Sequence, residues 1–279
     1  MKLITTLIFL GGCGYGLYWI NENHPELKSQ ALDLINSKSY MSLEARYKPE
    51  HIFEKEQLKP LKSNLDSYSA PQTAFHPHLL MEVKFTNPSG DSQEGVMIWD
   101  LVDGEMVIDT KTWKKTHGFS DCINSTANKF EYQIIAAIAR NNGKLNAKDL
   151  GEMMDLDPNI LNRCIDKALR KNLIIKQGNY FRIHLNHPIL NISPQTTLSG
   201  PLGTKKTKNC FSLDKNYSVT QIKSAAESFF GPRFSIRTAK EVYVPVYCIA
   251  IQNEDGSRQT TLWNAYNGKR MSRSSLIEW

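Results

Sequence analysis

The chain has 279 residues, of which 41% are hydrophobic, 10% aromatic and 22% charged. That length suits two or three small globular units, and a single uncharged run of eighteen residues excludes a protein that crosses a membrane several times. The formal charge of +6 is unevenly placed, with twelve basic and sixteen acidic residues over 1–128, ten and six over 129–186, and twelve and six over 187–279. Such a split suits an anionic partner, or attraction between the two ends of one chain.

Residues 3–20 read LITTLIFLGGCGYGLYWI, without a charge. At helical rise this run reaches about 27 Å, close to the hydrocarbon thickness of a bilayer. Tyr15, Tyr18 and Trp19 gather at its far end, where amphipathic rings prefer the interface. No A-x-A cleavage pattern follows, so 1–20 is expected to be an uncleaved anchor touching the membrane through 3–20. A lipoprotein signal ending at Cys13 competes, although GYGLYWI stays apolar after it. Lys2 lies on the near side, and Glu22 and Glu26 on the far side. The positive-inside bias therefore places the soluble body outside the cytoplasm, with a cytoplasmic body as the alternative. HPELKSQALDLIN, within 21–45, is expected to be a short amphipathic linker helix.

Residues 46–128 read as a helix-plus-antiparallel-sheet module. Tyr47 opens a helical segment, YKPEHIFEKEQL, followed by the strands MEVKFTNPSGDSQEGVMIW and EMVIDTKTW. Asn87-Pro88-Ser89-Gly90 and Asp103-Gly104 supply the turn chemistry. His76-Pro77-His78 could aim two imidazoles to one side, but a metal would need a third ligand and the proline suggests a loop. His117 and Cys122 stand in THGFSDC, read as a turn with no group to orient a thiol–imidazole pair.

Residues 129–186 carry the clearest pattern. Tyr132, Ile134, Ile135, Ile138 and Ala139 form one apolar helical stripe, stopped by Asn142-Gly143. Asn146 caps a second helix with Leu150, Met153 and Met154 inward, and Asp157-Pro158 starts a third. The third buries Ile160, Leu161, Cys164, Ile165, Ala168 and Leu169, and LIIKQ and YFRIHL then alternate around Gly178-Asn179 as a hairpin. This order over 130–185 resembles a winged-helix domain. The resemblance implies a third helix and wing that meet a partner through Asn159, Asn162, Arg163, Lys167, Arg170, Lys171, Lys176 and Arg182. Winged helices bind DNA or proteins, so the fold leaves both open, while Asp166 sits in the face that would meet phosphate.

NHPILNISPQTTLSGPLGTKKTKN, within 187–210, reads as a Pro- and Gly-rich linker. Residues 211–279 then repeat the first module: a helix after Tyr217, an alternating strand pair, and WNAYNG at Trp263–Gly268 where the first module has WDLVDG at Trp99–Gly104. Both tryptophans are expected to be core anchors. Pro245 marks the long strand of this module as an edge or a bulge. Residues 217–271 loosely resemble a PepSY-type module, which implies inhibitory or chaperone-like binding.

No phosphate loop, nucleophile elbow or H-E-x-x-H helix occurs. No enzyme, catalytic residue, metal, cofactor or small-molecule substrate is therefore expected. Cys122, Cys164, Cys210 and Cys248 lack any C-x-x-C pair; they permit two disulfides in an oxidising compartment, and Cys164 reads as a core thiol. The expected architecture is α+β: an N-terminal membrane helix and two helix-plus-antiparallel-sheet modules flanking a winged helix. The expected function is a membrane-anchored binding or assembly protein with a protein partner. A membrane-tethered DNA-binding regulator is the alternative, and a propeptide-like inhibitor or chaperone the second.

Overall fold

The computed structural model describes residues 40–57, 67–87, 89–207, 211–252 and 257–271. The expected anchor over 3–20, Cys13 and the linker helix HPELKSQALDLIN lie outside the described residues. Among those described, no helix is long and apolar enough to cross a membrane. The chain separates into Met1–Tyr40 with Lys206–Cys210, and Met41–Lys205 with Phe211–Trp279. Apart from the strand ends Tyr40, Lys206 and Thr207, everything below concerns the second unit.

Its fold is mixed α+β. A large sheet is built from β1 (Tyr40–Leu43), β2 (Ser67–Tyr68), β3 (Gln72–Thr86), β4 (Ser92–Asp100), β5 (Met106–Asp109) and β6 (Lys114–Lys115) together with later strands. The helices of the first part are α1 (Pro49–Gln57) and α2 (Phe119–Asn124). The middle adds α3 (Lys129–Arg140), β7 (Lys144–Asn146), α4 (Ala147–Met154), α5 (Pro158–Arg170), β8 (Ile174–Gln177) and β9 (Tyr180–Ile183). The last part adds β10 (Thr204–Thr207), β11 (Phe211–Ser212), α6 (Val219–Phe230), β12 (Phe234–Gln252), β13 (Arg258–Asn264) and β14 (Lys269–Arg270).

The two repeated segments are not separate modules flanking a third. β3 and β12 pair antiparallel from Phe85↔Phe234 to Phe75↔Pro245, so both repeats share one sheet. Each long strand then turns back on itself: β4 returns along β3 with Trp99 opposite Leu79, and β13 along β12 with Trp263 opposite Tyr247. The WDLVDG and WNAYNG turns close alike. Val102 N donates to Asp100 Oδ1 as Tyr266 N does to Asn264 Oδ1, and Gly104 N donates to Asp100 O as Gly268 N does to Asn264 O. Gly104 and Gly268 both have positive φ, at 77° and 66°.

The helices of the two halves are exchanged. Tyr217, just ahead of α6, donates its backbone N–H to Leu101 O in the first half. Tyr47, just ahead of α1, donates to Ala265 O in the second. A Cβ at Gly104 would come within 2.8 Å of the Tyr217 ring, and one at Gly268 within 2.9 Å of the Tyr47 ring. Hence α6 covers the first half, where Trp99, Phe119 and Phe229 stack edge to face at 4.6 and 4.8 Å between ring centres. On the second half, Ile52 of α1 packs with Tyr247, Ile249 and Trp263. Both tryptophans are buried, as expected of core anchors.

Several local expectations need correction. His76-Pro77-His78 is not a loop but the interior of β3. Pro245 does not make β12 an edge: it stands where pairing with β3 ends and pairing with β13 begins, and the register shift lies at Ile236/Thr238. At such a handover the missing N–H leaves no rung unfilled. THGFSDC ends in a short helix, α2, with His117 exposed and Cys122 buried. The expected linker over 187–210 is, from His187 to Gly203, a strap across the sheet. Thr196 N donates to Val96 O, Thr196 Oγ1 to Val107 O, and Thr197 N to Ile108 O. Cys122, Cys164 and Cys248 are free thiols; Cys210 lies outside the described residues.

Residues 129–186 fold as three helices and an antiparallel sheet in the order β7-β9-β8. Asn128 and Glu131 form a reciprocal cap on α3, Asn146 caps α4 through Asp149 N, and Asp157 caps α5 ahead of Pro158. Asn142, Gly143 and Gly178 take positive φ where the helix stop and the hairpin turn demand it. This segment shares its core with the sheet, because α3 packs on α6 and Ile134, Ile135 and Ile138 join Leu79, Trp99 and Phe229 in one apolar cluster.

Candidate functional site

Two places concentrate chemistry: the outer face of α5 with its hairpin, and a buried polar cluster between β3 and β4. On α5, helical spacing aligns Ile160, Arg163, Lys167 and Arg170 in one stripe and Asn159, Asn162 and Asp166 in the next. All seven are exposed, and the three cations of the first stripe make no ion pair among the described residues. Ile160, expected inside, is 47% exposed, and Met153 at the end of α4 is 53% exposed. Capping by Asp157 sets the helix phase, so Leu161, Cys164, Ile165 and Ala168 face the core and Ile160 falls outside it.

Lys171 does not belong to this face. Its ammonium donates to Glu131 Oε2 at 2.8 Å and to Thr126 O at 2.9 Å, neutralising a carboxylate with no exposed surface. On the hairpin, Lys176 and Arg182 are exposed, and Arg182 donates to Gln177 Oε1 at 3.0 Å. Ile175 and Tyr180 stand beside them, also exposed. The structure thus keeps Asn159, Asn162, Arg163, Lys167, Arg170, Lys176 and Arg182 on the surface and ties the half-buried Lys171 to a buried carboxylate.

The second place escaped the sequence. In β3, His76 and His78 point to the same side, and the β3–β4 register sets His78 directly opposite Asp100. His76 Nε2 lies 2.9 Å from Asp100 Oδ1, and His78 Nε2 lies 3.5 Å from Asp100 Oδ2. His78 Nδ1 is 2.9 Å from His76 O. Lys115, on β6, places its ammonium 2.5 Å from both Asp100 Oδ2 and Asp103 Oδ2. His76, His78 and Asp100 are at most 1% exposed. The missing signal was the strand partner of the His-Pro-His run, which no local pattern specifies.

Electrostatics here follow from burial. Desolvation pulls the His78 imidazole down to about 3, so the ring is neutral. Burial would raise Asp100, but the hydrogen-bonded His76 and the Lys115 ammonium beside it outweigh it and hold the carboxyl well below its usual range. Asp103, facing the Asp100 charge as well as burial, rises to about 6. Burial alone would lower Lys115, but the two carboxylates more than compensate and raise it. Lys115 and Asp103 also line a cleft of 420 Å³ shared with Trp113, His117, Asn264 and Asn267. No such activation exists at Cys122, whose thiol burial pushes up, away from the reactive thiolate.

Compared with known proteins, the chain matches no family model, no curated protein and no solved structure.

Proposed function

We propose that this chain is a non-enzymatic, single-pass membrane-anchored binding protein in which 129–186 is a winged helix gripping an acidic protein partner. The observation that carries the reading is the composition of the α5 stripe: an exposed Ile160 leads into Arg163, Lys167 and Arg170, with Met153 exposed at the end of α4. Exposed apolar side chains beside unpaired cations suit a protein surface with an apolar centre and acidic rim. A phosphate backbone would reward neither the isoleucine nor Asp155, Asp157 and Asp166 nearby. The inhibitor or chaperone reading of 211–279 has less support, because α6 is spent covering the other half of the sheet.

Two measurements test it. A compartment-specific reporter fused at Trp279 is expected to be active outside the cytoplasm. Duplex DNA titrated by fluorescence anisotropy across a salt series is expected to show no steep dependence of affinity on salt. Tight duplex binding that Arg163→Glu abolishes would establish the DNA-binding alternative instead. A photo-crosslinker at Ile160 should give a discrete protein adduct in cells, lost with Arg163→Glu and Lys167→Glu.

A further inference from the structure

We propose that His76, His78 and Asp100 form a divalent transition-metal site, with Lys115 as the cation the metal displaces. The donor atoms of the three residues lie within 4.8 Å of one another. Two imidazoles and a carboxylate suit Zn²⁺ and its neighbours in the first transition row.

Tautomer logic comes first. The His76 carbonyl can only accept, so His78 Nδ1 carries the proton and the neutral ring leaves a lone pair on Nε2. That lone pair has no donor and faces Asp100 Oδ2 at 3.5 Å in a fully buried setting. Two acceptors turned toward each other call for a cation between them. An imidazole whose other nitrogen is held by a backbone carbonyl is also the arrangement that orients histidines onto metals.

The molecule carries its own control. In the second half, the strand positions equivalent to His76 and His78 are Val244 and Val246, and Asn264 sits opposite Val246 as Asp100 sits opposite His78. Asn267 stands where the first half has Asp103. The same backbone is therefore built with valines and amides, so the fold does not require the charged set. Burying it is costly, and a bound ion accounts for that cost. Charge points the same way: two carboxylates face one ammonium, and a divalent ion would balance them if Lys115 swung aside. The Lys115 side chain is 15% exposed on the cleft wall, which gives it somewhere to go and the ion a way in.

The test uses the full chain in detergent micelles, stripped with a chelator and titrated with Co²⁺, read by visible ligand-field absorption, and with Zn²⁺, read by calorimetry. One equivalent is expected to bind. Installing the other half's residues (His76→Val, His78→Val and Asp100→Asn) should weaken binding roughly 100-fold or more. Lys115→Met should tighten it about tenfold by removing the competing charge. If the triple variant fails to fold, as judged by circular dichroism, Asp100→Asn and His78→Gln singly replace it. Failure of both the wild type and Lys115→Met to bind, or unchanged binding in the ligand variants, would overturn the site. Weaker binding in Lys115→Met would overturn the displacement. None of these readouts depends on the partner of α5.

Discussion

Replacing Phe229 with alanine tests whether the C-terminal helix belongs to the N-terminal half. Phe229 is buried between Phe119 at 4.8 Å and Phe230 at 5.2 Å, with Arg140 of α3 at 5.9 Å from its ring centre. Removing a buried phenyl ring costs about 3–5 kcal/mol when the cavity cannot collapse. Here the strands below and α3 beside it are fixed by their own partners, which argues for the upper part of that range. The two edge-to-face contacts contribute about 1 kcal/mol each of what is lost. The assay is denaturant unfolding followed by tryptophan fluorescence, with native-state hydrogen exchange on the amides of α3 and α6. Because α3, α6 and the first half share one cluster, amides in α3 should lose protection by the same amount as those in α6. If α3 keeps its wild-type protection, 129–186 folds on its own and the shared core is wrong.

Glu131→Gln should destabilise by about 1–3 kcal/mol, because it strands the Lys171 ammonium and weakens the α3 cap, and a double-mutant cycle with Lys171→Met should reveal the coupling. Gly104→Ala and Gly268→Ala should each cost about 1–3 kcal/mol, from positive φ plus the tyrosine ring; cycles should couple 104 to 217 and 268 to 47, and not the reverse. With chelator present, His78 has a folded pKa near 3, below its unfolded 6.5, so its contribution to stability is present above pH 6.5 and lost as pH falls toward 3. Asp103 acts oppositely: its pKa is raised to about 6 from 3.8, so its contribution is present below pH 3.8 and lost as pH rises through 6. Denaturant midpoints against pH should therefore flatten on the acid side in His78→Gln and steepen in Asp103→Asn. Cys248, pushed up to about 11 by burial, should resist alkylation at neutral pH in the native protein and react once unfolded.

Local chemistry was legible and long-range pairing was not. The caps at Asn146 and Asp157, the stop at Asn142-Gly143 and the Gly178 turn are written in adjacent residues, so the elements of 129–186 could be placed without a structure. The WDLVDG and WNAYNG repeat was visible too. Its consequence was not, because one sheet joining β3 to β12 depends on strands some 160 positions apart, which no periodicity encodes. The same blindness hid the buried cluster: His76 and His78 announce themselves, while Asp100 and Lys115 become their neighbours only through register. Ile160 and Met153 stand outside because the apolar stripes of α5 and α4 are one residue narrower than the run of apolar letters suggests. The tie of Lys171 to a buried carboxylate is equally silent in the local sequence, because its partner lies forty residues upstream.

The exchange of helices between the two halves has a consequence for biosynthesis. The floor on which α6 will lie, including Trp99 and Phe119, leaves the ribosome about a hundred residues or more before α6 does, and until then it has no lid. A nascent chain in that state exposes aromatic surface and an open strand edge for the whole time that 129–186 is being made. Holdase assistance, or very rapid completion of synthesis, therefore matters more for this molecule than its modest size would suggest.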